Sequence, residues 1–399
     1  MTIGFVTFGC RLNRAESLDL EAKYAAAGWD IAQLTATGDR ATRQASPDVV
    51  VVRGCSVTAK AQRDCEKEIA RLRARHPAAE VLVVGCHPSA RPIPPHLAPP
   101  ALPDAPVNRQ PSRAHMKVQD GCSGKCAFCI VPSFRGAPKS EPFDRVIDRA
   151  RAHLDAGFRE IVVTGCNLCL YRDSGRRLPE LVSALAGLDS PGHRIRIGSV
   201  EPGICDAALL DAIEAHPNVC RSVHLSLQSG SNRILRLMRR PYTIEHVAAF
   251  CEEARRRLGP RLAIGADVIA GFPGETDADF DETREFLISR QASFPHLHVF
   301  PYSEREGTEA ATMPSAVPVG VRRSRAKELE AVGAKNRDLF ARGLVGREVT
   351  VCVEKGGNGR TEEYMRCMLK GTARRRSLVR AKVDDYFPQT GMLSATIRA

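Results

Sequence analysis

No run of 18 apolar residues occurs in the 399-residue chain, so no segment reads as a membrane-spanning helix. The opening also lacks a charged n-region and an apolar h-region. Met1 leads directly into an apolar strand, Ile3 to Phe8, which argues against a signal peptide. Without that leader, the 14 cysteines do not suggest a secreted disulfide framework. The expected compartment is the reducing cytoplasm, where clustered cysteines serve as metal ligands or catalysts. Acidic residues are in deficit. There are 46 Asp and Glu against 58 Lys and Arg, leaving a net charge of +12 and a pI of about 9.2. That excess is a footprint for a polyanion such as nucleic acid, although a basic enzyme of another kind has the same signature. An apolar fraction of 43% is ample for a packed core, and the length suits two or three domains.

A fourth cysteine is also missing. Cys122, Cys126 and Cys129 stand in DGCSGKCAFCIVPSFRG, a Cys-x3-Cys-x2-Cys spacing. Three thiolates on one loop can hold three irons of a four-iron, four-sulfur cluster and leave one iron open to a ligand. A zinc knuckle would need a fourth ligand close by, and His115 sits on the wrong side of the expected strand. The spacing, with Phe128 before the last cysteine, resembles the radical S-adenosylmethionine (SAM) superfamily. There the open iron binds SAM, and reductive cleavage releases a 5′-deoxyadenosyl radical.

Three regions follow along the chain. Residues 1–97 alternate strand and helix: Ile3 to Phe8, a helix over Asn13 to Ala27, Val49 to Val52, a helix over Ala59 to Arg75, and Val81 to Val84. That order predicts a small doubly wound parallel sheet. Each strand runs into a cysteine in a glycine-bearing loop: TFGCRLN at Cys10, VVRGCSVT at Cys55 and VVGCHPS at Cys86. In open parallel sheets ligands bind beyond the carboxyl ends of the strands, so the three should converge on one place. They form a second set that is one ligand short. The competing reading is that buried cysteines are ordinary small core residues, and Cys65, within a helix, is assigned to that class.

A proline-rich stretch, placed at 98–112, reads as a linker. Residues 113–335 hold six expected strands, beginning at His115, Glu160, Arg194, Ser222, Leu262 and His296, with helices between them. This predicts a partial (β/α)6 barrel with the cysteine loop at its catalytic face. Residues 344–399 read as short strands in a small antiparallel β-domain. From residue 340 onward, 12 Lys and Arg face 6 Asp and Glu, which is half of the net charge. Arg374 to Arg376 fit a phosphate-contacting loop, with a solvated surface as the plainer reading.

Two incomplete cluster sites followed by a basic β-domain resemble the radical-SAM methylthiotransferases over essentially the whole chain. Several further segments carry the likeness: EIVVTGCNL at 160–168, RIRIGSVEP at 194–202, HLSLQSGSNRILRLMRRPYT at 224–243, DVIAGFPGETDADF at 267–280 and HVFPYSEREGT at 298–308. The resemblance implies an auxiliary-cluster domain, a radical-SAM core and a TRAM-like RNA-binding domain. TFGCRLN and HVFPYS are most similar to the branch that methylthiolates C2 of N6-threonylcarbamoyladenosine next to the anticodon, at position 37 of tRNA. Three alternatives remain: the isopentenyladenosine branch, the branch acting on a ribosomal-protein aspartate, and a non-catalytic iron–sulfur RNA-binding protein.

By resemblance, Cys122, Cys126 and Cys129 hold the SAM-cleaving [4Fe–4S] cluster. Cys10, Cys55 and Cys86 hold the auxiliary [4Fe–4S] cluster that carries the sulfur. One SAM methylates that sulfur, and a second supplies the radical. Phe128, Gly165, Ser199, Glu201, Gln228 and Asp267 are the implied SAM contacts. The implied partners are tRNA and an external electron donor, for a monomer without a membrane. The chain departs from the family pattern at Arg53-Gly54 before Cys55 and at His87-Pro88 after Cys86. Cys166 and Cys169 form a Cys-x2-Cys that both cluster sets leave unused, and metal ligation by them is conceivable.

Overall fold

Four consecutive valines, Val49 to Val52, lie almost wholly buried in the centre of the first sheet, because β-branched side chains suit a strand covered on both faces. The structure, a computed structural model, describes residues 1–34, 46–99, 112–190, 192–203, 207–290 and 293–398. Most of the linker expected at 98–112 therefore lies outside the described residues. The first region comprises β1 (Thr2–Thr7), α1 (Arg11–Ala26), β2 (Asp30–Gln33), β3 (Val49–Cys55), α2 (Ala59–Arg75) and β4 (Glu80–Cys86). Its strands pair in parallel in the order β2-β1-β3-β4. Tyr24 of α1 packs on one face of the sheet with Ile3, Phe5, Val49 and Val51. Cys65, Ile69 and Leu72 of α2 pack on the other with Val50 and Val52. The sheet is doubly wound, as expected, and Cys65 is a core residue.

The middle region contains β5 (Ala114–Asp120), α3 (Val131–Arg135), β6 (Lys139–Ser140), α4 (Phe143–Asp155), β7 (Glu160–Gly165), β8 (Arg172–Asp173), β9 (Arg176–Arg177), α5 (Leu178–Ala186), β10 (Arg194–Ile197) and β11 (Ser199–Val200). It continues with α6 (Ala207–Ala215), β12 (Ser222–Gln228), α7 (Asn232–Leu237), α8 (Ile244–Leu258), β13 (Ala263–Ala270), α9 (Asp277–Ser289), β14 (His296–Pro301) and α10 (Val319–Arg342). The strands order as β6-β5-β7-β10 and β11-β12-β13-β14, with Gly198 interrupting what would otherwise be one strand. Six long parallel strands result, matching the expected partial barrel. Among the described residues β5 and β14 do not pair, so the barrel stays open between them. Helix α10 runs past 335, the expected end of the barrel segment. Its last turn, with Phe340 and Ala341, belongs to the core of the third region.

That third region is a closed barrel of β15 (Glu348–Val353), β16 (Asn358–Thr361), β17 (Arg366–Lys370), β18 (Leu378–Phe387) and β19 (Met392–Ile397). Its pairings are antiparallel except for the parallel β17–β19 seam. Strand β16, brought back by Gly356 and Gly357 at positive φ, was not expected. Among the described residues no helix is long and apolar enough to cross a membrane.

One buried cluster fixes the small barrel to the large one. Glu160 is fully buried and accepts from Arg194 Nε at 2.8 Å and Arg196 Nε at 2.7 Å. The same arginines donate to the carbonyls of Thr350 and Arg360 (2.8 and 2.7 Å) and of Thr361 and Glu362 (2.8 and 3.0 Å). Both cations and the anion are thus paired and hydrogen-bonded, the condition under which buried charge is tolerated.

Candidate active site

The first cysteine triplet is assembled by the parallel register. Cys55 and Cys86 are direct neighbours at the ends of β3 and β4. Cys10 caps the start of α1. Gly9 precedes it at φ 94°, and a Cβ there would meet the Cys55 sulfur at 2.9 Å, so only glycine lets the two loops close up. Asn13 joins them further, donating to the carbonyls of Phe8 (2.8 Å) and Gly54 (2.9 Å). The two departures from the family pattern compensate each other. His87 is 3% exposed, and a Cβ on residue 54 would come within 2.7 Å of its Cβ, so Gly54 is what makes room for it. Arg53 bonds Glu16 at 2.8 Å.

The second triplet lies in the loop between β5 and α3. Its backbone is tied down by Cys122 N to Gly136 O (3.0 Å), Ala127 N to Met238 O (3.1 Å) and Ala310 N to Ala127 O (2.8 Å). Phe128 sets its ring edge-on to Phe272. Two guanidinium groups reach the thiol sulfurs. Arg135 Nε donates to Cys86 at 2.9 Å, and Arg240 Nη1 donates to Cys126 at 3.0 Å. Cationic donors on sulfur suit anionic thiolate clusters, whose potentials respond to such bonds. Burial pushes the thiols of Cys55, Cys86 and Cys126 up and takes Cys129 to about 11. Metal must therefore displace protons when it binds.

Among the described residues, His224, Asp267 and His298 are the group that brings three metal-capable atoms near enough for a single ion, within 4.8 Å of one another. Each triplet offers three thiols, the ligands of three irons of a four-iron cluster with the fourth left open, and the Arg135 and Arg240 bonds to sulfur suit such an anionic cluster, so the donor sets fit iron–sulfur clusters. Cys166 and Cys169 face apart, Cys166 toward Asp120 Oδ1 at 3.4 Å and Cys169 toward the Glu201 backbone.

Cys10 and Cys55 of the first triplet and Cys129 of the second reach one cavity of about 580 Å³ at the carboxyl ends of the barrel strands, while Cys86, Cys122 and Cys126 stand behind its wall. Cys10, Cys55, Phe128, Cys129, Gly165, Ser199, Gln228 and Asp267 all line it. Gln228 holds φ 67°, an unusual strain for a residue without a glycine's freedom. Burial would raise the Asp267 carboxyl. Hydrogen bonds from His224 (2.9 Å) and His298 (3.2 Å) outweigh it and hold the group well below the usual carboxylate range. Glu201 does not line the cavity. Its carboxylate accepts from Asn167 Nδ2 at 2.7 Å and faces Arg240 Nη2 at 3.2 Å, which places it behind Cys126.

Sequence reasoning did not place Arg135, Arg240, His224 or His298 at the site. Arg135 follows the cysteine loop by six residues and was within the quoted run. Arg240 lies 114 residues from Cys126, and no spacing signal connects them. The arginine run also behaves differently from expectation. Arg375 Nε bonds Ser112 Oγ at 3.0 Å, while Arg376 bonds the Ala156 carbonyl at 3.3 Å and stacks 4.0 Å over Phe158. These contacts tie Arg375 and Arg376 to the large barrel, while Arg374 of the same run is exposed.

The open six-stranded barrel and its three-cysteine loop define a radical SAM protein. The family model "Radical SAM superfamily" matches residues 116–287, and "Uncharacterized protein family UPF0004" matches 2–94. The threonylcarbamoyladenosine tRNA methylthiotransferase MtaB of Rickettsia prowazekii is 30% identical over 90% of this chain and 89% of its own length. A tRNA-2-methylthio-N(6)-dimethylallyladenosine synthase of Cereibacter sphaeroides is 38% identical over 64% of this chain and 57% of its own. A solved structure, the radical S-adenosylmethionine methyltransferase TsrM of Kitasatospora setae, superposes with a TM-score of 0.53 at 15% identity, covering 78% of this chain and 75% of that one, and shares the fold. The chain belongs to the radical SAM methylthiotransferase family. SAM and [4Fe–4S] clusters are the cofactors of that family.

Proposed function

We propose that this chain methylthiolates C2 of N6-threonylcarbamoyladenosine at position 37 of tRNA. The observation that supports the reading is the one cavity lined by cysteines of both triplets, Cys10 and Cys55 of the first and Cys129 of the second. A sulfur donor and a radical source can meet one substrate atom only if they share its site, and positioning of this kind is the protein's part in cofactor chemistry. In this reading Cys122, Cys126 and Cys129 hold one cluster and Cys10, Cys55 and Cys86 the other. When bound, the clusters and two SAM molecules supply the electron, the radical and the methylated sulfur.

The residues of the chain orient these groups. Arg240 and Arg135 donate to a cluster sulfur on each side. Phe128, Gly165, Ser199, Gln228 and Asp267 form the SAM-facing wall, and Glu201 acts behind it by holding Arg240. The first sheet is the auxiliary-cluster domain, residues 113–335 the radical core, and residues 344–399 the RNA-binding domain. Exposed Arg366, Lys370, Arg380 and Lys382 on that small barrel offer charges for tRNA phosphates. The protein works as a monomer in the cytoplasm with an external electron donor. Mass spectrometry of tRNA nucleosides from cells lacking the chain tests this reading. Loss of the 2-methylthio derivative, with its N6-threonylcarbamoyl precursor accumulating, is expected, and an unchanged nucleoside profile would refute it.

A further inference from the structure

Below the shared cavity, inside the barrel, lies a second one of about 360 Å³. Arg11, His224 and His298 line both, so the two adjoin. The floor of the lower cavity is not barrel at all. It is Arg360 and Tyr364, carried there by the small C-terminal barrel. Gly265 keeps the lumen clear, since a Cβ on it would fall 2.1 Å from His224 Nδ1.

The charge in this lumen is unbalanced. Arg196 is committed to Glu160, and Arg113, beside it, is paired with Glu354 at 3.2 Å. Arg11 and Arg360 have no carboxylate partner among the described residues. Arg360 bonds only the Tyr364 carbonyl, at 3.3 Å, and the two guanidiniums stack at 4.9 and 4.6 Å from the Tyr364 ring centroid. Burial lowers the pKa of Arg360, as it does for a cation lacking its counter-ion. Tyr364 reports the same field. Burial raises its phenol, but Arg11, Arg113 and Arg360 outweigh that and bring it down to about 8. Glu354, the carboxylate that acts on Arg360 through space, is already paired with Arg113, and Asp267 is held by both histidines. His296, kept neutral by burial, bonds the Glu363 carbonyl at 2.8 Å.

A half-buried pair of uncompensated cations suits a small anion and is costly around a hydrocarbon. The relatives of this chain differ in this respect. A threonylcarbamoyl group on N6 ends in a carboxylate and a hydroxyl, whereas a dimethylallyl group is wholly apolar. We infer that the lumenal cavity receives the N6 substituent of the substrate adenosine, and that Arg360 and Arg11 grip its carboxylate and so select an acidic substituent. The inference rests on the function proposed above. It adds the residues that choose between the two kinds of tRNA.

The test uses the full chain with both clusters reconstituted and anticodon stem-loops bearing N6-threonylcarbamoyladenosine, its methyl ester, or N6-dimethylallyladenosine. Binding is measured without reductant, and turnover with it. Wild type should bind and process the acid about 10- to 100-fold better than the ester, the range for a charge-assisted bond. Arg360→Met should erase most of that preference, and Arg360→Lys should restore part of it. The Arg360 carbonyl that anchors Arg194 is retained in both variants, and iron content checks that they fold. Equal binding of acid and ester by wild type overturns the inference without any variant, as does a preference that survives Arg360→Met. Should wild type yield no methylthio product on the acid stem-loop, the proposed function fails, and the acid–ester binding ratio still decides the role of the cavity.

Discussion

Arg135 Nε lies 2.9 Å from the sulfur of Cys86, although the two residues are 49 positions apart and belong to regions built on different sheets. The other guanidinium nitrogens reach Asn13 Oδ1 (2.7 Å), Glu16 (3.0 Å) and Asp120 (2.8 Å). One side chain at the end of α3 thus closes onto the first triplet and holds the seam between the two. Arg135→Leu should lower the reduction potential of the auxiliary cluster, because a cationic donor to sulfur favours the more negative, reduced state. It should also destabilise the protein by about 2–4 kcal/mol, since Glu16 and Asp120 lose a buried partner and are only partly wetted. Redox titration followed by EPR, with thermal melts alongside, reads both effects. Arg135→Lys should recover the stability better than the potential.

The two clusters predict an iron count. Anaerobically reconstituted protein should carry about eight irons per chain. Joint replacement of Cys122, Cys126 and Cys129 by Ala should leave about half, as should replacement of Cys10, Cys55 and Cys86. Full iron retained in the second triple variant would remove the auxiliary assignment.

Division of labour between the triplets is a separate matter. Cys126→Ala should abolish reductive cleavage of SAM to 5′-deoxyadenosine. Cys55→Ala should keep some uncoupled cleavage while giving no methylthio product. Chromatographic measurement of both products separates the cases, and equal loss of cleavage in two folded variants would contradict the assignment.

The seam should also be acid-sensitive. Burial raises Glu16 and Asp120, but Arg135 and Lys117 outweigh it, leaving Glu16 lowered and Asp120 at about 2. Carboxyls held below their unfolded values contribute stability above the unfolded pKa, near 4, and lose it as pH falls through the folded one. Acid unfolding of the apoprotein should therefore steepen between about pH 4 and 2. Asp120→Asn should be less stable at neutral pH and should show a flatter dependence across that window.

Much of this architecture was readable from periodicity. The valine run, the amphipathic helices and the strand-to-cysteine loops fall where alternation and glycine punctuation put them, because local burial dictates those patterns. Strand β16 and the continuation of α10 past 335 were not readable, since they depend on packing between domains. The same holds within the site. Cysteine spacing is local and was legible, whereas Arg240, His224 and His298 reach their partners only through barrel closure. Glu201, a strand-end carboxylate, pairs with Arg240, a partner that no local pattern announces.

Docking of the arginine run changes the expected salt dependence. Arg374→Ala should lower the slope of log K against log salt for tRNA by about one unit or less, the share of one phosphate. Arg376→Ala should instead loosen the small barrel by removing its stack on Phe158. A filter-binding salt series combined with limited proteolysis of the small barrel distinguishes the two. Equal slope changes with unaltered proteolysis would return Arg376 to the RNA surface.

The buried clasp of Glu160, Arg194 and Arg196 has a mechanical consequence. Because it joins the two barrels through charge that neither can release cheaply, the basic outer face and the cysteine-lined mouth sit at one unvarying separation. Under the function proposed above, an RNA gripped by the former would be offered to the latter as if by callipers, and the nucleotide that arrives would be selected by how far it stands from the gripped phosphates, before any base is touched.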